Sequence, residues 1–156
     1  MKKKIITSIG VILGIFILLS SAWLLWRNIK YNQYTQGMAH NTTSPFRFFA
    51  PIYWLGEDDK HGVVYTVRFP ARLFSFTGSL VITTSRWDEE KTGRLDILPL
   101  PNGDYRFRVR LDYGEFIYID SQGNAIDSAF DDIIEQRRDT VEYLLNRAKE
   151  RWRTLT

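Results

Sequence analysis

Hydrophobic side chains follow three successive rhythms along this chain of 156 residues, and each predicts a different element. The first is an unbroken run. Residues 5–26 carry no charge, and thirteen of them are Ile, Leu, Val or Phe. As a helix the run is about 33 Å long, against about 30 Å of bilayer hydrocarbon. Each such side chain near the bilayer centre contributes about −0.3 to −0.6 kcal/mol, so insertion is favoured by several kcal/mol. Trp23 and Trp26 close the run with Arg27 and Lys30 just beyond, an order suited to the headgroup boundary.

The second rhythm begins after Pro45 and has a period of two. Val63, Tyr65, Val67 and Phe69 alternate with Val64, Thr66 and Arg68. Phe74, Phe76, Gly78, Leu80 and Ile82 alternate with Ser75, Thr77, Ser79 and Val81. Tyr105, Phe107, Val109 and Leu111 alternate with Arg106, Arg108 and Arg110. Such alternation predicts strands with one buried and one wet face. Pro101-Asn102-Gly103-Asp104 predicts a tight turn before the last of them, because Asn-Gly accepts positive φ.

The third rhythm is helical and starts at Asp127. Phe130, Ile133, Ile134, Val141, Leu144, Leu145, Ala148, Trp152 and Leu155 form one apolar stripe, with Asp127 or Ser128 placed to cap it. The expected fold class is therefore α+β: a transmembrane helix, an antiparallel curled sheet or partial barrel, and a long C-terminal amphipathic helix. The expected division is a cytoplasmic tail over 1–4, the span over 5–26, a juxtamembrane linker over 27–45 and an exported domain over 46–156. A cleaved signal peptide is the rival reading of the first segment, with Ser20-Ser21-Ala22 as its cleavage site. The apolar run exceeds a signal's usual length and continues past that site as Trp23-Leu24-Leu25-Trp26, which favours an uncleaved anchor. Lys2, Lys3 and Lys4 outweigh Arg27 and Lys30, keeping the tail inside and sending the domain outward.

Charge and composition then narrow the chemistry. The three leading lysines carry the whole formal excess of +3, and the rest of the chain is formally neutral. A nucleic-acid binder concentrates its basic surplus on the folded domain, so direct contact with DNA or RNA is not expected. With no cysteine and only His40 and His61 as histidines, disulfides and Cys-type zinc sites are excluded and a His-rich metal site is not expected. No glycine-rich phosphate loop, nucleophile elbow or H-E-x-x-H stands in the sequence. The expectation is a non-enzymatic protein without a cofactor.

Three features remain as candidate sites. Gly10 and Gly14 make a G-x-x-x-G pair on which a second membrane helix can pack. Arg106, Arg108 and Arg110 form a cationic ladder that fits an anionic ligand or a partner's carboxylates, unless acidic neighbours across the strand balance it. With Tyr105, Phe107, Phe74 and Phe76 they make the candidate partner or ligand surface. His61, preceded by Asp58 and Asp59, is the candidate pH sensor, since an imidazole titrates near neutrality and carboxylates favour its charged form.

Two stretches together carry a family resemblance: Leu19-Ser20-Ser21-Ala22-Trp23-Leu24-Leu25-Trp26, and Leu98-Pro99-Leu100-Pro101-Asn102-Gly103-Asp104-Tyr105 leading into an Arg/Val strand. They resemble the ToxS-type accessory regulators, and the layout is similar to that of Yersinia fimbrial regulators of the MyfF/PsaF kind. The resemblance implies a bacterial inner-membrane protein whose periplasmic domain binds and stabilises a membrane-tethered winged-helix transcription activator encoded nearby. Virulence or fimbrial genes are the implied targets. In some relatives the pair encloses a small amphipathic ligand, a bile salt. The alternative function is a bitopic structural subunit of an envelope secretion or conjugation machine.

Overall fold

The computed structural model describes residues 2–40, 51–56, 62–84, 92–111 and 114–155. Its first element, α1 (Lys2–Asn32), contains no proline, and it is long and apolar enough to cross a membrane. The helix does not stop where the charges begin. Trp23, Arg27, Tyr31 and Tyr34 recur every three or four residues, lie on one side, and are all buried. The stretch expected as a linker therefore starts as helix, and Tyr31 and Tyr34 join the core of the domain.

Among the described residues seven strands follow, pairing antiparallel in chain order: β1 (Ala39–His40), β2 (Ile52–Gly56), β3 (Val63–Arg68), β4 (Ser79–Thr84), β5 (Gly93–Pro99), β6 (Tyr105–Leu111) and β7 (Ile117–Ile119). The turn at Pro101–Asp104 forms as its residues require. Gly103 has φ +97° and donates to the Leu100 carbonyl, while Asp104 O accepts from Leu100 N at 2.8 Å. Pro99 is thereby set opposite Tyr105, and the register of β5 and β6 follows.

The inward residues of β3 to β7, among them Tyr65, Ile82, Leu95, Ile97 and Val109, are covered by the C-terminal helices. Asp127 accepts from Ala129 N at 3.0 Å and starts a short 3-10 turn before α2 (Asp131–Gln136) and α3 (Arg138–Arg151). The long helix expected from the apolar stripe is thus interrupted. Arg137, at φ −116° and ψ 23°, makes the break, and Arg137 N bonds back only three residues to Ile134 O. Ile134, Val141, Leu144, Leu145, Ala148 and Trp152 are buried, whereas Ile133 faces outward.

The turn after β7 meets α3, with Lys149 Nζ donating to Ser121 O at 3.3 Å. The Asp120 carboxylate accepts from Gln122 N at 2.9 Å, Asn124 N at 2.8 Å and Asn124 Nδ2 at 2.9 Å. Burial pushes its pKa up, but these hydrogen bonds outweigh burial and hold it below the ordinary value. The sign follows: a depressed carboxylate stabilises above its unfolded pKa of about 3.9, and the contribution is lost as pH falls through the folded value. Asp120→Ala is expected to cost about 1 kcal/mol at neutral pH. In thermal unfolding from pH 7 to pH 3 the deficit should narrow below about pH 4; a deficit constant across that range would refute the assignment.

Candidate functional site: an arginine-rich sheet face

Alternation along β6 separates two kinds of residue. Phe107 is buried inside, and Tyr105 is half-buried with its hydroxyl 3.1 Å from that of Tyr34. Arg106, Arg108 and Arg110 point to the opposite face. Register then sets Leu98, Asp96 and Arg94 of β5 against them. Arg68 of β3 and Val81 of β4 share this face.

Asp96 is its electrostatic centre. Although it lies on the outer surface of the sheet, it is only 1% exposed. Its Oδ1 accepts from Arg94 Nε at 2.6 Å, and its Oδ2 from Arg94 Nη2 at 3.1 Å and Arg108 Nη2 at 2.9 Å. The face is also crowded enough to disfavour charge. Burial, and then the positive field of Arg94, lower the pKa of Arg68, against the opposing pull of Asp96.

An aromatic ring gathers the remaining cations. The guanidinium carbons of Arg108, Arg110 and Arg94 lie 4.2, 5.3 and 5.5 Å from the centre of the Phe116 ring. Arg106 lies 6.0 Å over Tyr118. Their stems cover apolar surface, so Val81 in the middle of this face is nearly inaccessible. Arg68, Arg94, Asp96, Leu98 and Arg108 also line an open groove of about 470 Å³ that runs toward residues 71–79.

Among the described residues, an acidic neighbour across the strand offsets only Arg108 of the ladder. Arg110 stands opposite another arginine, Arg94, and Arg106 stands opposite Leu98. Among the outward positions of β3 to β7, Asp96 is the sole carboxylate against five arginines. Paired like charges cost energy across a sheet. A ligand or partner that brings carboxylates or phosphate recovers it, and the planar guanidinium suits either.

The other expected site residues lie elsewhere. Phe74 and Phe76 belong to no strand: β4 begins at Ser79, and Phe74 has φ +60°, incompatible with extended backbone. Both rings lie against α1, so the seven-member partner surface divides among the core, the arginine face and this loop. Gly10 and Gly14 are exposed, and a Cβ on either would meet nothing. His40 stacks on Tyr53 at 4.8 Å. His61 lies outside the described residues. Sequence reasoning missed Arg68, Arg94, Asp96 and Phe116, although the Asn-Gly turn carried the register that pairs Asp96 with Arg108.

Compared with known proteins, the chain matches no family model, no curated protein and no solved structure.

Proposed function

We propose that this chain is a non-enzymatic, membrane-anchored accessory protein whose arginine-rich sheet face binds an acidic surface of a membrane-tethered transcription activator. The observation that carries this reading is the ratio of five arginines to one carboxylate on a single outward face. A second feature supports it. The apolar helix enters the core through Tyr31 and Tyr34, so the domain is held firmly to its anchor rather than hung from a loose tether.

By helical geometry Gly10 and Gly14 lie about 150° around α1 from Phe16 and Trp23, the side that meets the domain. One side of the anchor is thus engaged by its own domain while the other is open to a partner's helix. The lysine tail inside and the domain in the periplasm of a bacterial inner membrane complete the arrangement, in keeping with the ToxS-type resemblance. The concave side of the sheet is filled by Tyr31, Tyr34 and α3. An amphipathic ligand shared with the partner would therefore sit at the outward groove.

The test is co-purification of the full-length chain with the membrane-tethered regulator encoded beside it. Arg106→Glu combined with Arg110→Glu avoids the Asp96 ion pairs and is expected to weaken the complex by about tenfold or more, with a matching fall in target-gene output. Added salt should weaken the native complex as well. A complex indifferent to both changes would sink this reading, and recovery of channel and ATPase components instead would favour an envelope machine.

A further inference from the structure

The connection between β3 and β4 is long for a hairpin, with ten residues between Arg68 and Ser79. It is also apolar where a loop is ordinarily polar. Leu73, Phe74 and Phe76 are 43%, 42% and 45% exposed. Together they form a cluster of large hydrophobic side chains turned away from the core.

Their position explains the exposure. The Phe74 ring packs edge-on against Phe16, with centroids 6.4 Å apart, and against Trp23 at 6.5 Å. The Phe76 ring meets Trp26 at 5.0 Å. Phe16 and Trp23 precede Trp26 by ten and three residues, or about 15 and 5 Å along a helix axis. Phe74 therefore sits at a level of α1 that is inside the bilayer whenever the helix spans it. Interfacial segments bury their apolar side to about 5–10 Å, which matches.

Three polar contacts tie this loop to the chain, which lowers the cost of a lipid setting. The Trp23 indole donates to Ser75 O at 2.9 Å. Ser75 N donates to Arg72 O at 3.0 Å, and Gly78 N donates to the Tyr31 hydroxyl at 2.6 Å. The loop also holds a costly conformation. A bulky aromatic at φ +60° is unfavourable, and the result of that backbone is an aromatic ring seated on the membrane helix.

We infer that residues 71–77 are a second membrane contact, a loop whose Leu73, Phe74 and Phe76 enter the outer leaflet beside α1. This rests on the reading of α1 as an uncleaved span. The occupant is lipid because exposed Phe74 adjoins Phe16, itself an exposed side chain of the apolar helix, so the cluster extends that helix's apolar surface. With two contacts the domain cannot rotate freely about its anchor, so the arginine face keeps a fixed orientation to the bilayer.

The chain contains no cysteine, which allows a direct test by single labels. Leu73→Cys and Phe76→Cys in the full-length chain, each carrying a polarity-sensitive fluorophore, are reconstituted into phosphatidylethanolamine–phosphatidylglycerol vesicles. Leu18→Cys serves as the anchor control and Thr83→Cys as the water control, both positions being exposed. The expected result is that labels at 18, 73 and 76 lose most of their emission to nitroxide-bearing lipids and little to aqueous iodide, with the reverse at 83. Quenching by lipid at 18 with iodide quenching at 73 and 76 would overturn the loop contact and leave the anchor standing. Loss of lipid quenching at 18 as well would overturn the anchor reading itself. Labels at 73 and 76 shielded from both quenchers would assign the loop to a protein neighbour and likewise overturn the proposal.

Discussion

Gly78→Ala is expected to break the joint between the N-terminal apolar helix and the sheet. A Cβ at this position would lie 2.4 Å from the Arg68 carbonyl oxygen and 2.6 and 2.8 Å from two ring carbons of Tyr31. The carbonyl is backbone at the end of β3, where Arg68 pairs with Ser79, and it cannot retreat without disturbing the ladder. The ring is fully buried and has nowhere to turn. Overpacking of this kind costs about 1–3 kcal/mol where side chains can yield, and the backbone contact puts the expected cost at about 3 kcal/mol or above. Tyr31→Phe separates the hydrogen bond from the packing. It keeps the ring but leaves the buried Gly78 N–H without its acceptor, for about 1–3 kcal/mol. Tyr31→Ala removes both, at about 3–5 kcal/mol. Thermal unfolding of the full-length chain in detergent measures all three. A Gly78→Ala protein within about 0.5 kcal/mol of the native one would show that the joint is looser than these distances.

That joint is also where sequence and structure part. Alternation in 63–69 and 105–111 was sufficient to identify β3 and β6, and Asn102-Gly103 to identify the turn between β5 and β6, because each is a local property of the backbone. The buried stripe Trp23, Arg27, Tyr31, Tyr34 is local too, but Arg27 ends the apolar run and disguises it. Its burial depends on Trp23 and Phe69, whose rings lie 5.1 and 5.8 Å from the guanidinium, and Phe69 is remote in the chain. Phe74-Ser75-Phe76-Thr77-Gly78 copies the strand rhythm perfectly. What removes it from the sheet is contact with α1, a long-range cause that period counting does not register.

The break in the C-terminal helix was hidden for the opposite reason. Gln136, Arg137 and Arg138 are ordinary helix formers, so propensity favours continuity, and nothing local in the sequence marks the break at Arg137. In the candidate site, three arginines of β6 were legible from alternation alone. Their counter-charge was not, since it required β5 to be set beside β6 in register before Asp96 could be matched with Arg108.

Asp96 is where stability and binding should separate. Its carboxylate joins Arg94 and Arg108 on the outer sheet face, with Arg68 nearby. Asp96→Asn keeps the size of the side chain and removes the charge that offsets them. Removing one partner from a buried ion pair costs about 3–5 kcal/mol. Here Arg94 and Arg108 retain 21% and 29% of their exposure, so water and salt take up part of the loss, and about 2–3 kcal/mol is expected. Part of that cost is repulsion among the arginines, so raising the ionic strength should narrow the gap between mutant and native unfolding temperatures. A gap unchanged by salt would mean that a lost hydrogen bond, not repulsion, accounts for it. The same substitution removes the only outward carboxylate of β3 to β7, so an acidic partner should bind at least as tightly while the domain melts lower. If binding weakened along with stability, Asp96 would have to be positioning the arginines for the partner rather than restraining them, and Asp96→Ala would then weaken it further.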